Sequence, residues 1–178
     1  MIAKAIWLGA VSAALAACAA LGEQGALSAS GARAETREAG GRAVGHAAAI
    51  EVGGAVRIRL EASGLAPGIY GAHVHAVGRC DSPGFESAGP HWNPTGREHG
   101  SQNPRGRHLG DLPNLTAEAG GSGTLEFDIN GASLRDGGWA MLDGDGAALV
   151  IHAQADDQRT DPSGNSGARI ACGVFVPA

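Results

Sequence analysis

Glycine-rich turns interrupt this chain so often that long helices are not expected. Of its 178 residues, 30 are glycine, about one in six against a usual ~7%. No segment repeats its apolar residues with a helical period, and short runs that alternate in polarity or are β-branched lie between the turns. These runs are residues 32–38, 43–52, 56–60, 69–77, 124–129, 147–152 and 170–176. Seven or eight strands predict an all-β, antiparallel sandwich or flattened barrel.

Length and charge narrow the class of protein further. A chain of 178 residues is expected to form one domain. Its net charge is −5, and phosphate binding needs clustered Lys and Arg, so a nucleic-acid partner is not expected. A hydrophobic fraction of 43% is too high for a disordered chain.

Residues 1–17 have the pattern of a signal peptide, with Lys4 followed by 13 apolar residues. That stretch is too short to span ~30 Å of hydrocarbon. It ends in Leu15-Ala16-Ala17-Cys18, which resembles the lipobox of bacterial lipoproteins, where the cysteine becomes the first mature residue and carries the lipid. The alternative is ordinary cleavage after Ala16, which leaves a soluble protein with an unpaired Cys18 thiol.

The lipobox implies a lipidated Cys18 followed by a flexible tether, residues 18–31, before the folded domain, residues 32–178. The expected location is the periplasm, in the cell envelope. Ala19 after the cysteine favours anchoring to the outer membrane, and the lipid on Cys18 is the only membrane contact expected.

The other two cysteines, Cys80 and Cys172, lie in no CxxC or zinc-knuckle pattern. In an exported protein a disulfide between them is the default expectation. The alternative is two unrelated buried thiols.

Histidines form the most informative pattern. His73 and His75 are two residues apart in an extended run, so their side chains emerge on the same face and could hold one metal. A half-exposed polar face is the alternative interpretation. His152 ends an apolar strand, where a lone histidine is more often structural, and His46 matches no constellation and is interpreted as structural.

Residues 79–115 form a long segment rich in Gly, Pro and Asn, and loops of that length are uncommon unless they are functional. This segment contains His91, His99, His108 and Asp111, and two or three histidines with one aspartate are an ordinary zinc ligand set. A bound metal would help offset the entropy lost in ordering the loop. The alternative is a flexible loop with scattered surface histidines.

Six segments, in order, resemble the copper–zinc superoxide dismutase family. They are GAHVH at 71–75, GPHWNP at 89–94, EHG at 98–100, HLGD at 108–111, IHAQADD at 151–157 and GNSGARIACG at 164–173. The resemblance covers residues 32–178 and implies an eight-stranded antiparallel Greek-key β-barrel with long metal-binding loops.

The resemblance also implies residue roles. The copper ligands would be His73, His75, His91 and His152. The zinc ligands would be His91, as a shared imidazolate, with His99, His108 and Asp111. Asp156 would link His73 to His99 and fix their ring orientation. Arg169 would bind the anionic substrate beside copper, and Cys80 and Cys172 would form the family disulfide.

The implied activity is superoxide dismutation: two superoxide anions and two protons give O₂ and H₂O₂ through Cu(II)/Cu(I) cycling, as antioxidant defence in the bacterial envelope. One copper and one zinc are expected per subunit, with His91 and Arg169 as the catalytic residues. Zinc has no redox chemistry, so its role is to hold His91 and position the loop. Members of the family occur as monomers and as dimers, so the resemblance is compatible with either a monomer or a homodimer.

The negative net charge opposes capture of an anion, so a local positive field around copper is required. Arg79 and Arg97 are candidates for supplying it, besides Arg169. Two other functions are weighed against catalysis: a domain that stores or delivers copper, and an adhesive or structural β-sandwich. The first would not need Arg169, and the second does not explain the ordered histidines.

Overall fold

Ten short strands make up most of the regular structure in the computed structural model, which describes residues 31–178. They are β1 Gly31–Glu38, β2 Ala43–Val52, β3 Ala55–Ala62, β4 Gly68–Tyr70, β5 Ala72–His75, β6 Leu115–Ala117, β7 Gly123–Asn130, β8 Ala148–His152, β9 Arg169–Val174 and β10 Val176–Pro177. Within these residues the one helical element is a 3₁₀ turn, Glu86–Ala88, and no helix is long and apolar enough to cross a membrane. The predicted signal peptide, Cys18 and the tether as far as residue 30 lie outside the described residues.

The strands form an antiparallel sheet that curls into a half-barrel. Its order is β5-β8-β9-β1-β2-β3-β7, with β10 pairing with β1. The chain therefore crosses between the two ends of the sheet three times, after β3, after β5 and after β7, as in a Greek key. The other two strands, β4 and β6, pair with each other. Along the chain β4 leads into β5, and β6 is followed by β7. The all-β antiparallel prediction is confirmed.

Alternation along β3 explains how the sheet forms a core. Val56, Ile58 and Leu60 are fully buried, whereas Arg57 and Arg59 between them point outward. Arg57 pairs with Asp128 on β7 at 2.6 Å. Both side chains of that pair are more than a third exposed, so burial of the apolar face, rather than the ion pair, stabilises the sheet.

The predicted strand at 69–77 is two strands, because the chain changes partners at Gly71. β4 pairs with β6 and β5 pairs with β8, while the Gly71 amide donates to the Gln154 carbonyl at 2.7 Å. A Cβ at this position would lie 2.8 Å from Ser166 Cβ, so a side chain does not fit there. The run at 170–176 is likewise divided, into β9 and β10, and the sequence analysis missed β6, which lies at the end of the long loop.

A disulfide joins Cys80 to Cys172, as predicted. It ties the start of the long loop to β9. A small apolar cluster packs beneath it, in which Phe85 and Ala88 of the loop contact Val150 of β8. The loop segment around the 3₁₀ turn is therefore held against the strands that carry His152 and Arg169.

Candidate metal centre

β5 presents two imidazoles on the face of the sheet opposite the core. Ala72 and Val74 belong to the apolar core, so the alternating His73 and His75 point outward, under the long loops. Both histidines are completely buried. The alternative of a half-exposed polar face is therefore wrong.

The long loop pairs with the edge of β5 that β8 leaves free. The Val74 amide donates to the Gly110 carbonyl at 2.9 Å, and the Trp92 amide donates to the Val74 carbonyl at 2.8 Å. These bonds place Asp111 opposite His73 and His91 opposite His75. Residues far apart in the chain thus become neighbours of the strand histidines.

His152 joins the same group from β8. Leu149 and Ile151 pack into the core, and the pairing with β9 shifts register between Ile151 and His152. Such a bulge re-aims a side chain. His152 is 3% exposed, and it lies together with three other histidines. It is therefore not a lone structural histidine.

The first cluster consists of four histidines. One ring nitrogen from each lies within 4.8 Å of the others. The residues are His73, His75, His91 and His152. Buried polar atoms are normally hydrogen-bonded, yet His73 Nδ1 and the Nε2 atoms of the other three have no partner. Four unpaired imidazole nitrogens facing one another fit a metal ion.

The second cluster consists of His91, His99, His108 and Asp111. Asp111 Oδ1 lies 2.9, 3.0 and 3.1 Å from the Nδ1 atoms of the three histidines, taken in chain order. The Nδ1 atoms of His91 and His108 are 3.4 Å apart. A tetrahedron with bonds of ~2.0–2.1 Å has edges of roughly 3.3 Å. The donor set and its spacing therefore fit zinc.

His91 belongs to both clusters. Its Nδ1 faces Asp111 in the second cluster, and its Nε2 is a buried atom without a hydrogen-bond partner, in the first cluster. A single imidazole therefore has one nitrogen available to each cluster.

Hydrogen bonds fix the rings from outside the clusters, at the nitrogens that point away from them. Asp156 accepts from His73 Nε2 at 2.7 Å and from His99 Nε2 at 3.0 Å. His75 Nδ1 donates to the Gly89 carbonyl at 2.8 Å, and His152 Nδ1 donates to the Gly167 carbonyl at 3.1 Å. Such partners set the tautomer and leave the inward nitrogen free to bind metal.

Burial lowers the pKa of all four histidines of the first cluster and so favours their neutral form. Burial lowers the pKa of His73 to about 3 and that of His152 to about 4. Burial also lowers the pKa of His75 well below its usual value. Neutral imidazole is the form that coordinates metal. In the second cluster burial alone would raise the pKa of Asp111, but hydrogen bonds from the cluster's histidines lower it, so the carboxylate is ionised.

Arg169 stands at the start of β9 beside the first cluster. Its Nη1 donates to the Phe85 carbonyl at 2.7 Å and its Nη2 to the Gly89 carbonyl at 2.8 Å. The Gly89 carbonyl thus accepts from both Arg169 and His75. The loop held by the disulfide therefore orients a fixed cation next to the histidines.

A cavity of about 960 Å³ opens over both clusters. Its lining includes Arg169, three histidines of the first cluster (His75, His91 and His152) and His108 of the second cluster. Of the two candidate steering cations, Arg97 lines this cavity, whereas Arg79 is paired with Asp81 at 2.5 Å and does not. Carboxylates also line it, namely Glu86, Glu98, Asp143 and Asp161.

Sequence reasoning missed Asn114, which holds Asp156 in place. Its Nδ2 donates to the Asp156 carbonyl at 2.9 Å and its Oδ1 accepts from the Asp156 amide at 2.8 Å. The two residues are 42 positions apart, so no local spacing reveals the pair. His46 lies on β2 beside Glu61, with its side chain 69% exposed, and takes no part in either cluster.

An antiparallel half-barrel with two adjoining clusters of metal-binding side chains and a shared histidine is the arrangement of a binuclear metal-binding protein. The chain matches the model of the family described as copper/zinc superoxide dismutase (SODC) over residues 43–175. It belongs to that family, whose metals are copper and zinc, and its two histidine-rich clusters are able to hold them.

Relatives and solved structures agree with this family. The chain is 42% identical to a Superoxide dismutase [Cu-Zn] of Caulobacter vibrioides over 76% of its own length and 79% of that protein. It is 48% identical to the Superoxide dismutase-like protein YojM of Bacillus subtilis, over 67% of this chain but only 62% of the relative's length. The crystal structure of a SOD-like protein from Bacillus subtilis matches with a TM-score of 0.77 and 41% identity, over 81% of this chain and 97% of that one.

The pairing of the loop with β5 predicts the effect of Gly110→Ala. A Cβ at position 110 would lie 2.2 Å from the Val74 carbonyl oxygen, so the loop must move away from β5. We expect the free energy of unfolding to fall by about 1–3 kcal/mol, as for other overpacked sites. We also expect the zinc content of the purified protein to fall. Urea unfolding and elemental analysis measure the two effects.

Gly120→Ala is the matched control, because a Cβ at position 120 meets nothing within 4 Å. It should retain the metal content and stability of the parent. Equal metal content in the Gly110 and Gly120 variants would contradict the role given to the pairing of the loop with β5.

Proposed function

We propose that this protein is a superoxide dismutase that converts two superoxide anions and two protons to O₂ and H₂O₂. Copper would be held by His73, His75, His91 and His152. Zinc would be held by His91, His99, His108 and Asp111. When bound, copper supplies the one-electron oxidation and reduction that the reaction needs. Zinc would hold the shared ring and order the loop.

The observation that carries this proposal is the position of His91 between the clusters. Its Nδ1 lies 2.9 Å from Asp111 Oδ1 and its Nε2 is buried and unpaired. A site that only stored one metal would not need a ring with both nitrogens committed. Forming H₂O₂ requires protons, and Nε2 of a neutral His91 ring is a place to hold one beside the cavity.

Arg169 would capture the substrate. Its guanidinium stays charged at any relevant pH and offers donors to an anion, and two of its nitrogens are already fixed to backbone carbonyls. Its side chain lines the cavity together with His152. An anion that enters the cavity is therefore attracted to the first cluster.

The Bacillus subtilis relative is named superoxide dismutase-like. We therefore consider a second candidate function, in which the domain carries copper without catalysis. Arg169→Ala separates the two functions. For a dismutase, we expect the second-order rate constant for superoxide decay to fall about tenfold or more, since the local field accelerates capture by ~10–10³. Stopped-flow absorbance of superoxide, with protein of measured copper and zinc content, gives this constant.

Arg135→Ala, which removes the same charge from an exposed loop residue outside the cavity, should leave the rate unchanged. Copper content should be equal in all three proteins. If metal-loaded parent protein does not accelerate superoxide decay, or if Arg169→Ala is as fast as the parent, the catalytic proposal is wrong and copper carrying is favoured.

Salt dependence tests which charges govern capture. The chain carries a net charge of −5, which repels superoxide, whereas Arg97 and Arg169 in the cavity attract it. Ions screen both effects, with a Debye length of ~10 Å at 0.1 M. Because Arg169 and His75 donate to the same Gly89 carbonyl, the charge of Arg169 lies beside the first cluster, and we expect the rate to fall as salt is added. A rate that rises with ionic strength would mean that the repulsive net charge dominates.

The cellular role we propose is antioxidant defence in the bacterial envelope, facing the periplasm from an outer-membrane lipid anchor on Cys18. The lipobox-like residues 15–18 and the preceding apolar run support this location. We expect intact mass spectrometry of membrane-extracted protein to give a mature chain that begins at a lipid-modified Cys18. A mature chain that begins at Ala17 and keeps a free Cys18 thiol would mean that the protein is soluble in the periplasm and has no lipid anchor.

A further inference from the structure

His108 differs from the other histidines in the group beside its outer nitrogen, which is the ring nitrogen that points away from the clusters. The outer nitrogens of His73, His75, His99 and His152 are hydrogen-bonded to a carboxylate or a carbonyl. His108 differs, because its Nε2 lies 3.9 Å from Asp161 Oδ1. That separation is too long for a hydrogen bond, but a carboxylate at this distance still acts on the imidazole electrostatically.

The same oxygen of Asp161 also holds a second member of the cluster. The His99 amide donates to Asp161 Oδ1 at 2.7 Å. Asp161 lies in the loop between β8 and β9, 62 residues from His99. One carboxylate from a different loop therefore contacts two of the histidines in the second cluster from outside.

We propose that Asp161 is a positioning residue for the zinc half of the metal centre. Its carboxylate fixes the backbone of His99 and places a negative charge at the outer side of His108, which makes both histidines better ligands for a dication. This inference depends on the zinc assignment proposed above. Asp161 contacts neither His73 nor any other member of the first cluster, so its effect is confined to zinc.

Comparison with Asp156 indicates how much metal affinity the loss of Asp161 should cost, and for which metal. Asp156 is fully buried and bonds one histidine of each cluster, His73 and His99, so its loss should weaken both metals. The Asp161 side chain is 48% exposed, and solvent screens its charge. The effect of Asp161 should therefore be smaller than that of Asp156 and restricted to zinc.

The experiment measures zinc and copper affinities of metal-free protein by competition with a coloured chelator, using zinc alone and copper alone as probes. Four variants are compared: Asp161→Ala, Asp161→Asn, Asp156→Ala and Asp143→Asn. Asp143 lines the same cavity and is exposed, so its variant controls for the loss of one negative charge at the rim. Cobalt in the zinc site gives a visible spectrum that reports the ligand geometry.

We expect Asp161→Ala to lose about tenfold in zinc affinity, the lower end of the range for such outer partners, with copper affinity unchanged. Asp161→Asn retains an acceptor for the His99 amide but no charge, and we expect a smaller zinc loss with an altered cobalt spectrum. Asp156→Ala should weaken both metals, and Asp143→Asn neither.

Wild-type zinc affinity in Asp161→Asn would overturn the proposal and leave Asp161 as a structural acceptor. Equal losses of zinc and copper would also overturn it, because they would indicate a general change in the loop. If the parent protein itself binds no zinc, the zinc assignment fails instead. Circular dichroism of each metal-free variant checks the fold, and unchanged copper affinity verifies it independently.

Discussion

Hydrogen bonds along the outer edge of β5 bring the metal-binding side chains together. The bonds of Val74 to Gly110 and Trp92 place Asp111 and His91 beside the strand histidines. Without this pairing, Asp111 and His91 would not be held beside the strand histidines, although the disulfide would still tie the start of the loop to β9. Gly110 makes the approach feasible, because any side chain there would meet the Val74 carbonyl.

Ordering a loop of this length costs backbone entropy of ~1–2 kcal/mol for each residue fixed. Three features offset that cost. The disulfide ties one part of the loop to β9, and the apolar cluster of Phe85 and Ala88 packs it against β8. Two buried metal clusters would tie the rest, since unpaired imidazole nitrogens at their centres are costly until a metal binds them. We therefore expect the loop to become fully ordered as the metals bind.

Much of this arrangement could be predicted from the sequence, where periodicity or motif spacing carried the information. Alternation identified β3, and the two-residue spacing put His73 and His75 on one face. The resemblance to the copper–zinc superoxide dismutase family identified the remaining residues of both clusters, and the structure brings all of them together. The change of partner at Gly71, the short strand β6 and the contacts of Asn114 and Asp161 were not predicted. They depend on contacts between distant segments, or on backbone carbonyls such as that of Gly89, which leave no local pattern.

Anomalous diffraction can show whether one histidine ring binds both metals. Crystals of the copper- and zinc-loaded protein would be measured at the absorption edge of each element. We expect one copper within bonding distance of His91 Nε2 and one zinc within bonding distance of His91 Nδ1. Two metals that share no ring, or a single occupied site in fully loaded protein, would contradict it.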